Sequence, residues 1–275
     1  MRGASRTTGG CLRRNEVSDE LPLLWQYSFS NFNEKARWAL DFKGIRHRRR
    51  SLMPGGPRAM GFARRGTLPV LDIDGERIVD STAIIDALEE RQPEPALYPA
   101  DPEERRRALE LEDFLDENAG HDMRRVGFWE AKQDLGWAVR FMTTDQPKVK
   151  AAVGRVGLRS AFPFVWGYMS KRYSFGEEAV TQSRGTLRAA LDRIESERAG
   201  ADYLIGENFT VADLTAAALF YPLVWPPEFQ YQLPERPSWN LSESLRDHPA
   251  LDWIAGIWRL HRGEPATSLR SPARP

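Results

Sequence analysis

Residues 68–90 constrain the fold most, because they hold two strand patterns and a helix without a long loop between them. LPVLDI at 68–73 is apolar and rich in β-propensity, the DG dipeptide at 74–75 is a two-residue hairpin turn, and Glu76–Val79 is typical of the returning strand. A helix is predicted to begin at Ser81. Its apolar residues have the spacing of one buried face: Ile84, Ile85 and Leu88. A hairpin followed directly by a helix predicts an α+β domain.

The preceding segment adds a strand, a helix and a second strand. Leu21–Tyr27 is predicted to be a buried strand, and Gly44 is predicted to end the helix that follows it. The buried face of that helix comprises Phe32, Ala36, Ala39 and Leu40. Residues 45–53, IRHRRRSLM, form a short strand crowded with arginines, which favours an edge strand protected by charge over an anion site.

A proline-rich segment, residues 92–102, predicts a linker between two domains. Downstream, 103–263 shows amphipathic helix patterns without strand alternation, so an all-helical domain is expected. Its buried stripes are Ala108, Leu111 and Leu115; Leu187, Leu191 and Ile194; and Leu251, Ile254 and Trp258. Thr210 and Asp213 are typical of a capping box. Residues 1–20 are expected to be a disordered tail, with an Arg-rich transit peptide as the alternative, and 264–275 a second tail.

Charge and cysteine content exclude several classes of protein. The 39 basic and 39 acidic side chains balance, so bulk charge does not favour nucleic acid or an anionic membrane as a partner. Cys11 is the only cysteine, which excludes an internal disulfide and a multi-cysteine metal site. The four histidines are scattered and predict no metal site. A reducing cytoplasm is the expected location.

Three motifs resemble the cytosolic glutathione S-transferase family. SNFNEKARWAL at 30–40 is similar to the first helix of that family, GTLPVLDIDGERIVDSTAIIDALEE at 66–90 to its glutathione-binding segment, and YLIGENFTVADLTAAA at 203–218 to the capping box of its helical domain. The resemblance implies the glutathione-transferase fold, with an α+β thioredoxin-like domain at 21–91 and an all-α helical bundle domain at 103–263. It also implies a homodimer.

The resemblance assigns glutathione binding to two dipeptides. Leu68-Pro69 matches the cis-proline of the family, where the backbone of the residue before proline pairs with the extended glutathione peptide. Asp80-Ser81 matches the acid–serine pair that holds the γ-glutamyl end, because a hydroxyl and free helix N–H groups suit its carboxylate and an acid suits its ammonium. Taken alone, Ser81 is typical of a helix N-cap. The nearby Pro69 favours the binding role.

The turn before the first helix contains no thiol. Ser30 takes the position at which glutaredoxin-like members carry a cysteine, and Asn33 takes the second position of their C-x-x-C motif. This turn therefore cannot form a mixed disulfide with glutathione. In serine-type members the substrate supplies the sulfur. Ser30 is accordingly predicted to donate a hydrogen bond to the thiolate of glutathione, and not to act as a base or nucleophile.

Two alternatives stay open at this turn. Ser30 is also typical of an N-cap, unless Asn31 and Glu34 form a capping box in its place. Tyr27 is a second hydroxyl candidate, because some classes of the family use a tyrosine at the end of the first strand.

Two residues depart from the family pattern. Asn31 stands where proline is common in serine-type members, and Thr67 stands where lysine is common. The glycine end of glutathione is therefore left with Arg64 and Arg65 as candidates by proximity alone.

The second substrate is expected against the helical domain. Ten aromatic residues lie between 128 and 175: Phe128, Trp129, Trp137, Phe141, Phe162, Phe164, Trp166, Tyr168, Tyr173 and Phe175. They are typical of a pocket for a hydrophobic electrophile or, for most of them, of ordinary core packing. Residues 161–169 are apolar without a clear period.

The sequence thus predicts a glutathione S-transferase-like enzyme in which the thiolate of glutathione attacks a hydrophobic electrophile. One alternative is a non-catalytic member of the fold that binds a ligand or a protein. Another is an isomerase, lyase or dehalogenase that depends on glutathione. Lysine is scarce, which indicates a GC-rich genome, and some bacteria with such genomes use a small thiol other than glutathione. Such a thiol is therefore an alternative cosubstrate.

Overall fold

The computed structural model describes residues 20–63, 68–173, 176–237, 240–263, 266 and 269–270. The N-terminal elements are β1 (Leu23–Gln26), α1 (Asn31–Phe42), β2 (Arg48–Ser51), α2 (Pro57–Ala63), β3 (Val70–Ile73), β4 (Glu76–Val79) and α3 (Ser81–Arg91). The helices that follow are α4 (Pro102–Leu115), α5 (His121–Ala131), α6 (Leu135–Met142), α7 (Lys148–Tyr173), α8 (Glu177–Arg198), α9 (Val211–Val224), α10 (Asn240–Leu245) and α11 (Pro249–His261). A π-helical turn, Asp116–Gly120, joins α4 to α5.

The sheet has the strand order β4-β3-β1-β2-β5, where β5 is Leu269–Arg270. β1 runs parallel to β2 and antiparallel to β3, and β3 pairs antiparallel with β4. The first part of the chain combines this sheet with helices, and the described part of 103–263 contains only helices. The predicted fold class, an α+β domain followed by an all-α domain, is therefore confirmed.

Two sequence expectations differ from the sheet. β2 is an inner strand of the described sheet, so the expected edge strand is wrong. Arg49 is buried between elements and does not shield an edge. The expected tail at 264–275 contributes β5, which lies parallel to Arg48–Arg49. Residues 1–19 and 64–67 lie outside the described part of the chain.

One buried apolar core runs from the sheet into the helical part. At its centre α9 is buried on all sides from Val211 to Leu223, and the predicted capping box begins it. Its Asp213 carboxylate accepts from the Thr210 backbone N–H at 2.8 Å and from Leu204 N–H at 2.8 Å. The predicted apolar stripes of α4, α8 and α11 are all buried.

The connection from α3 to α4 is part of this core. Leu97 is fully buried, and its carbonyl accepts a hydrogen bond from Val211 N–H at the start of α9. Lys43 after α1 donates to the carbonyls of Gln92 and Pro95 at 2.7 and 3.0 Å. The proline-rich segment therefore fixes the helical part against the sheet.

Candidate functional site

The register of the sheet brings the predicted site residues to one edge. Trp25 of β1 pairs with Val70 of β3, and Val70 pairs with Val79 of β4. The turn after β1, the residues before β3 and the residues after β4 therefore meet at the same end of the sheet. The Leu68-Pro69 peptide bond is cis, as predicted. The Pro69 carbonyl accepts from Asp80 N–H at 3.3 Å.

At the start of α3, the N-cap is not Ser81, as the N-cap alternative had it, but the residue before it. Asp80 is the N-cap, and its carboxylate accepts from Thr82 N–H at 2.9 Å and from Ala83 N–H at 3.5 Å. Its φ of 88° lies in a region that non-glycine residues rarely adopt, and such backbone is concentrated at functional sites. Ser81 is buried, and its hydroxyl has no hydrogen-bond partner within the described residues. A polar ligand group at this helix N-terminus would supply the missing partner.

The unpartnered hydroxyl leads to a stability prediction. Because a buried hydroxyl without a partner retains its desolvation cost, Ser81→Ala is expected to leave the free energy of unfolding unchanged or to raise it by about 1 kcal/mol. Urea denaturation measures this. Asp80→Ala is the contrasting variant, because loss of the N-cap costs about 1 kcal/mol. A clear loss of stability in Ser81→Ala would mean that the hydroxyl has a partner in the folded protein.

Ser30 occupies the N-cap position of α1, but its side chain makes no capping hydrogen bond. The alternative capping box of Asn31 and Glu34 does not form. The Asn31 amide donates to the Gly120 carbonyl at 3.3 Å, and the Glu34 carboxylate is bound by arginines. The half-buried Ser30 hydroxyl is thus left available beside a helix N-terminus.

The turn that carries Ser30 is held through its backbone carbonyls. The Arg37 guanidinium donates to the carbonyl of Ser28 at 3.0 Å and to that of Tyr27 at 3.4 Å. The Tyr221 hydroxyl of α9 donates to the Phe29 carbonyl. Arg37 is fully buried, so the position of the turn depends on a charge inside the core.

A buried ionic network surrounds that charge. Arg37 donates to Glu34 at 2.9 Å, and Arg262 after α11 donates to Glu34 at 2.7 Å and to Asp41 at 2.9 Å. Asp41 also accepts from Arg49 at 2.7 Å. The network joins α1 and β2 to the end of the helical part, and it alternates acids with bases so that each buried charge faces an opposite one.

His47 is the pH-sensitive member of this network. Its Nε2 accepts from Arg49 Nε at 2.9 Å, and Nδ1 lies 2.7 Å from the Ile45 carbonyl, so the neutral ring protonated on Nδ1 satisfies both contacts. Burial and the Arg49 guanidinium lower the pKa of His47 to about 4.

Acid is therefore expected to destabilise the fold through His47. The unfolded ring binds a proton near its ordinary pKa of about 6.5 and the folded ring does not, so this contribution is present above pH ~6.5 and is lost between pH ~6.5 and ~4. The expected loss is about 3 kcal/mol. Urea denaturation at several pH values measures it, and His47→Gln should make the profile shallower across this window, while His121 and His261, whose pKa values burial also lowers, keep their contributions. An unchanged profile in that variant would contradict the assignment.

A second buried charge cluster lies beside Ser81, and the sequence analysis missed it. Lys35 of α1 contacts Glu112 at 2.7 Å, Asp116 at 2.6 Å and the Thr82 hydroxyl at 3.0 Å. Burial lowers the pKa of Lys35, but the two carboxylates outweigh this and raise it, so the ammonium stays charged. Burial raises the pKa of the Glu112 carboxyl, which favours its neutral form inside this cluster. The available signal was that Glu112 and Asp116 continue the apolar stripe through Ala108 at intervals of four residues.

An aromatic row extends from the Ser30 turn into the helical part. Phe29 stacks on Tyr27 with ring centroids 5.4 Å apart and contacts Phe141 of α6 at 5.5 Å. Phe141 stacks on Trp137 at 4.9 Å and on Trp225 at 5.6 Å. Of the ten aromatics singled out in the sequence, Trp137 and Phe141 thus adjoin the candidate site. Phe164 instead faces solvent.

Arg64, Arg65 and Thr67 lie outside the described residues. In the described part of the chain, no group of three or more His, Cys, Asp or Glu side chains could hold a metal ion. None of the described helices is both long and apolar enough to cross a bilayer.

Comparison with known proteins gives the family. The model of the glutathione S-transferase N-terminal domain matches residues 24–96, and that of the C-terminal domain matches residues 141–250. The chain belongs to the glutathione S-transferase family. The two matches together span more than half of it.

One curated relative is the maleylacetoacetate isomerase of Pseudomonas aeruginosa, which is 36% identical over 92 residues. This match covers 30% of the present chain and 43% of the relative, so the chain spans less than half of that protein in the match.

Solved structures show the fold over nearly the whole chain. The beta-etherase LigF of Sphingobium sp. strain SYK-6 has a TM-score of 0.62 at 19% identity, covering 89% of this chain and 96% of that one. A glutathione S-transferase of Methylobacterium radiotolerans, solved as a complex with glutathione sulfonate, has a TM-score of 0.59 at 17% identity and covers 92% and 98%.

Proposed function

We propose that this protein is a glutathione-dependent transferase that binds glutathione at the edge formed by Pro69, Asp80 and Ser81. The observation that carries the proposal is the buried hydroxyl of Ser81, which lacks a partner among the described residues at the N-terminus of α3. A ligand carboxylate there would accept from that hydroxyl and would benefit from the helix dipole.

The ammonium of a γ-glutamyl group would also have acidic residues nearby. Asp80 is exposed and carries a carboxylate at the same helix end. The carboxyl groups of Glu112 and Asp116 lie within hydrogen-bond distance of the Thr82 hydroxyl, at 3.2 and 3.0 Å. An ammonium and a carboxylate on one carbon, as in the γ-glutamyl end of glutathione, match this pair of environments. The Leu68 backbone before the cis-proline would pair with the extended part of the peptide.

Ser30 would act on the sulfur. Its hydroxyl makes no capping hydrogen bond at the N-terminus of α1, so it can donate a hydrogen bond to a thiolate. Bound glutathione supplies the sulfur nucleophile. Tyr27 is the competing donor, and its ring stacks on Phe29 at the end of the aromatic row.

The aromatic row of Phe29, Phe141, Trp137 and Trp225 would accept the second substrate. Its apolar ring faces favour a hydrophobic electrophile over a charged one. We further propose, from family membership, that the protein is a cytoplasmic homodimer. Nothing in the described residues favours nucleic acid as a partner of this site.

A glutathione-dependent isomerase is the second candidate. The maleylacetoacetate isomerase relative favours it, since its match at 36% identity is a sequence match and not a likeness of fold alone. A non-catalytic binding protein would also keep the site but would lack turnover.

Product formation separates these candidates. Purified protein is incubated with reduced glutathione and either chlorodinitrobenzene or maleylacetoacetate, and each product is followed spectroscopically. Conjugation above the uncatalysed rate supports the transferase, and isomerisation alone supports the second candidate. Bound glutathione without turnover of either compound would contradict the transferase proposal and favour the binding protein.

A further inference from the structure

The outward face of α7 carries an unusual row of apolar side chains. Four of the six large apolar residues that are exposed in the described chain lie on this helix: Val149, Val153, Val156 and Phe164, with 77%, 69%, 69% and 82% of their surface exposed. At 100° per residue, their spacing puts all four within an arc of about 80°. The four residues therefore lie along one side of the helix, with the exposed Ser160 between Val156 and Phe164, and we call them the α7 ridge.

The residues on the opposite side of α7 show that the ridge points outward. Ala151, on the opposite face, is buried. Gly154 lies so close to Met53 that an added Cβ would sit 2.4 Å from the Met53 methyl carbon. α7 thus packs its small residues against the loop after β2 and turns the ridge to solvent. Exposed valines are also poor helix formers, so helix stability does not explain them.

The charged side chains of α7 itself all have one sign. Residues 148–173 contain no Asp or Glu. Lys148, Lys150, Arg155 and Arg159 are exposed, and none of them has an ion-pair partner among the described residues. By helical spacing, Lys150 lies about 40° beyond one edge of the ridge and Lys148 and Arg159 lie about 60–80° beyond the other edge, whereas Arg155 lies nearer the buried face. The balanced charge of the whole chain therefore conceals a local basic surface.

The exposed apolar row and its basic neighbours indicate which kind of partner fits the α7 ridge. Pairing the ridge with a second copy would bring two sets of unpaired basic residues together, which like-charge repulsion opposes. Nucleic acid would match the charge, but valines offer no hydrogen bond or stacking surface to bases. An anionic lipid surface suits both features, because headgroups attract the basic residues while the acyl boundary accepts Val and Phe.

We propose that the α7 ridge docks this protein on an anionic phospholipid surface, with the helix lying in the plane of the headgroups. This mode requires no spanning helix, in agreement with the described helices. α7 follows α6 closely, and Gln146 between them donates to the Ser51 carbonyl at 3.3 Å. If the proposed function also holds, docking would bring the aromatic row near the lipid, from which a hydrophobic electrophile could be drawn.

Co-sedimentation with vesicles tests docking without glutathione or turnover. The full chain is mixed with vesicles of phosphatidylcholine alone or with phosphatidylglycerol added. We expect binding to the anionic vesicles at least tenfold tighter than to the neutral ones, and weaker as salt is raised. K148A/K150A should lower the affinity about 25-fold, at about fivefold for each basic residue.

The apolar part of the ridge has a matched control. V149S/F164S should weaken binding at least tenfold, whereas L260S should not, although Leu260 on α11 is as exposed as Val149 at 77%. Unfolding midpoints check that each variant is folded. Equal binding to both vesicles, no binding, or equal effects of V149S/F164S and L260S would overturn the proposal. Self-association in sedimentation velocity that V149S/F164S abolishes would overturn it too, and would assign the ridge to a second copy.

Discussion

Arg37→Met should lower the free energy of unfolding by about 3–5 kcal/mol, because it removes one partner of a buried ion pair and leaves Glu34 partly uncompensated. It also removes the donors to the carbonyls of Tyr27 and Ser28, which hold the Ser30 turn. Urea denaturation at pH 7 measures the loss. Turnover should fall further than stability alone explains when activity is compared at a temperature where the variant is folded.

Arg106→Met is the matched control for that experiment. Arg106 also pairs with two carboxylates, Glu103 and Glu110, but on the exposed face of α4. Solvent screens such pairs, so the unfolding midpoint should hardly move. Equal losses in Arg37→Met and Arg106→Met would show that burial of the network does not matter.

Ser30→Ala should lower the rate of glutathione conjugation about 10- to 100-fold at neutral pH or below. A hydrogen bond to a charged group contributes about 1.5–3 kcal/mol, which corresponds to about one to two pKa units of the bound thiol. The thiolate absorbance of bound glutathione, titrated against pH, measures that shift directly. Glutathione affinity should change by less than about threefold, because Ser30 is not assigned to the γ-glutamyl end.

Tyr27→Phe is the control for the hydroxyl assignment. It keeps the ring that stacks on Phe29 and removes only the oxygen. The pKa of the bound thiol should stay at its wild-type value in this variant. If Tyr27→Phe raises that pKa and Ser30→Ala does not, the donor is Tyr27 and the assignment of Ser30 is wrong.

The parts of the fold that sequence predicted are those with strong local signals. The hairpin at 74–75, the Thr210–Asp213 capping box and the stripes of α4, α8 and α11 depend on turn chemistry or on helical period, and each is present. The family resemblance extended these local signals to the whole architecture. Its implied cis bond at Leu68-Pro69 is also present.

The buried charged residues could not be predicted from the sequence. Glu34, Lys35 and Arg37 on α1 are all fully buried, although charged helix residues ordinarily face solvent. Their partners are distant in the chain: Arg262 lies 228 residues after Glu34, and Asp116 lies 81 residues after Lys35. No local pattern encodes such pairs, so the network that holds the Ser30 turn became visible only in three dimensions.

The sequence analysis indicated where the candidate residues lie in the fold better than it indicated which contacts they make. Asp80 and Ser81 meet Pro69 at the sheet edge, but Asp80 is the N-cap, and it is the Ser81 hydroxyl that has no partner among the described residues. Residues 161–169 had no clear period because they belong to α7, which contains Pro163 and has apolar residues on both its inner and outer faces. A helix that is apolar on two faces gives no single stripe.

The most direct test of glutathione binding at this edge is calorimetric titration of wild type, Ser81→Ala and Asp80→Asn with reduced glutathione. Asp80→Asn retains a side chain that can cap α3 and removes only the charge. We predict measurable binding by wild type and at least tenfold weaker binding by each variant, with Ser81→Ala as stable as wild type. Absent binding by wild type, or undiminished binding by both variants, would contradict the site proposed here.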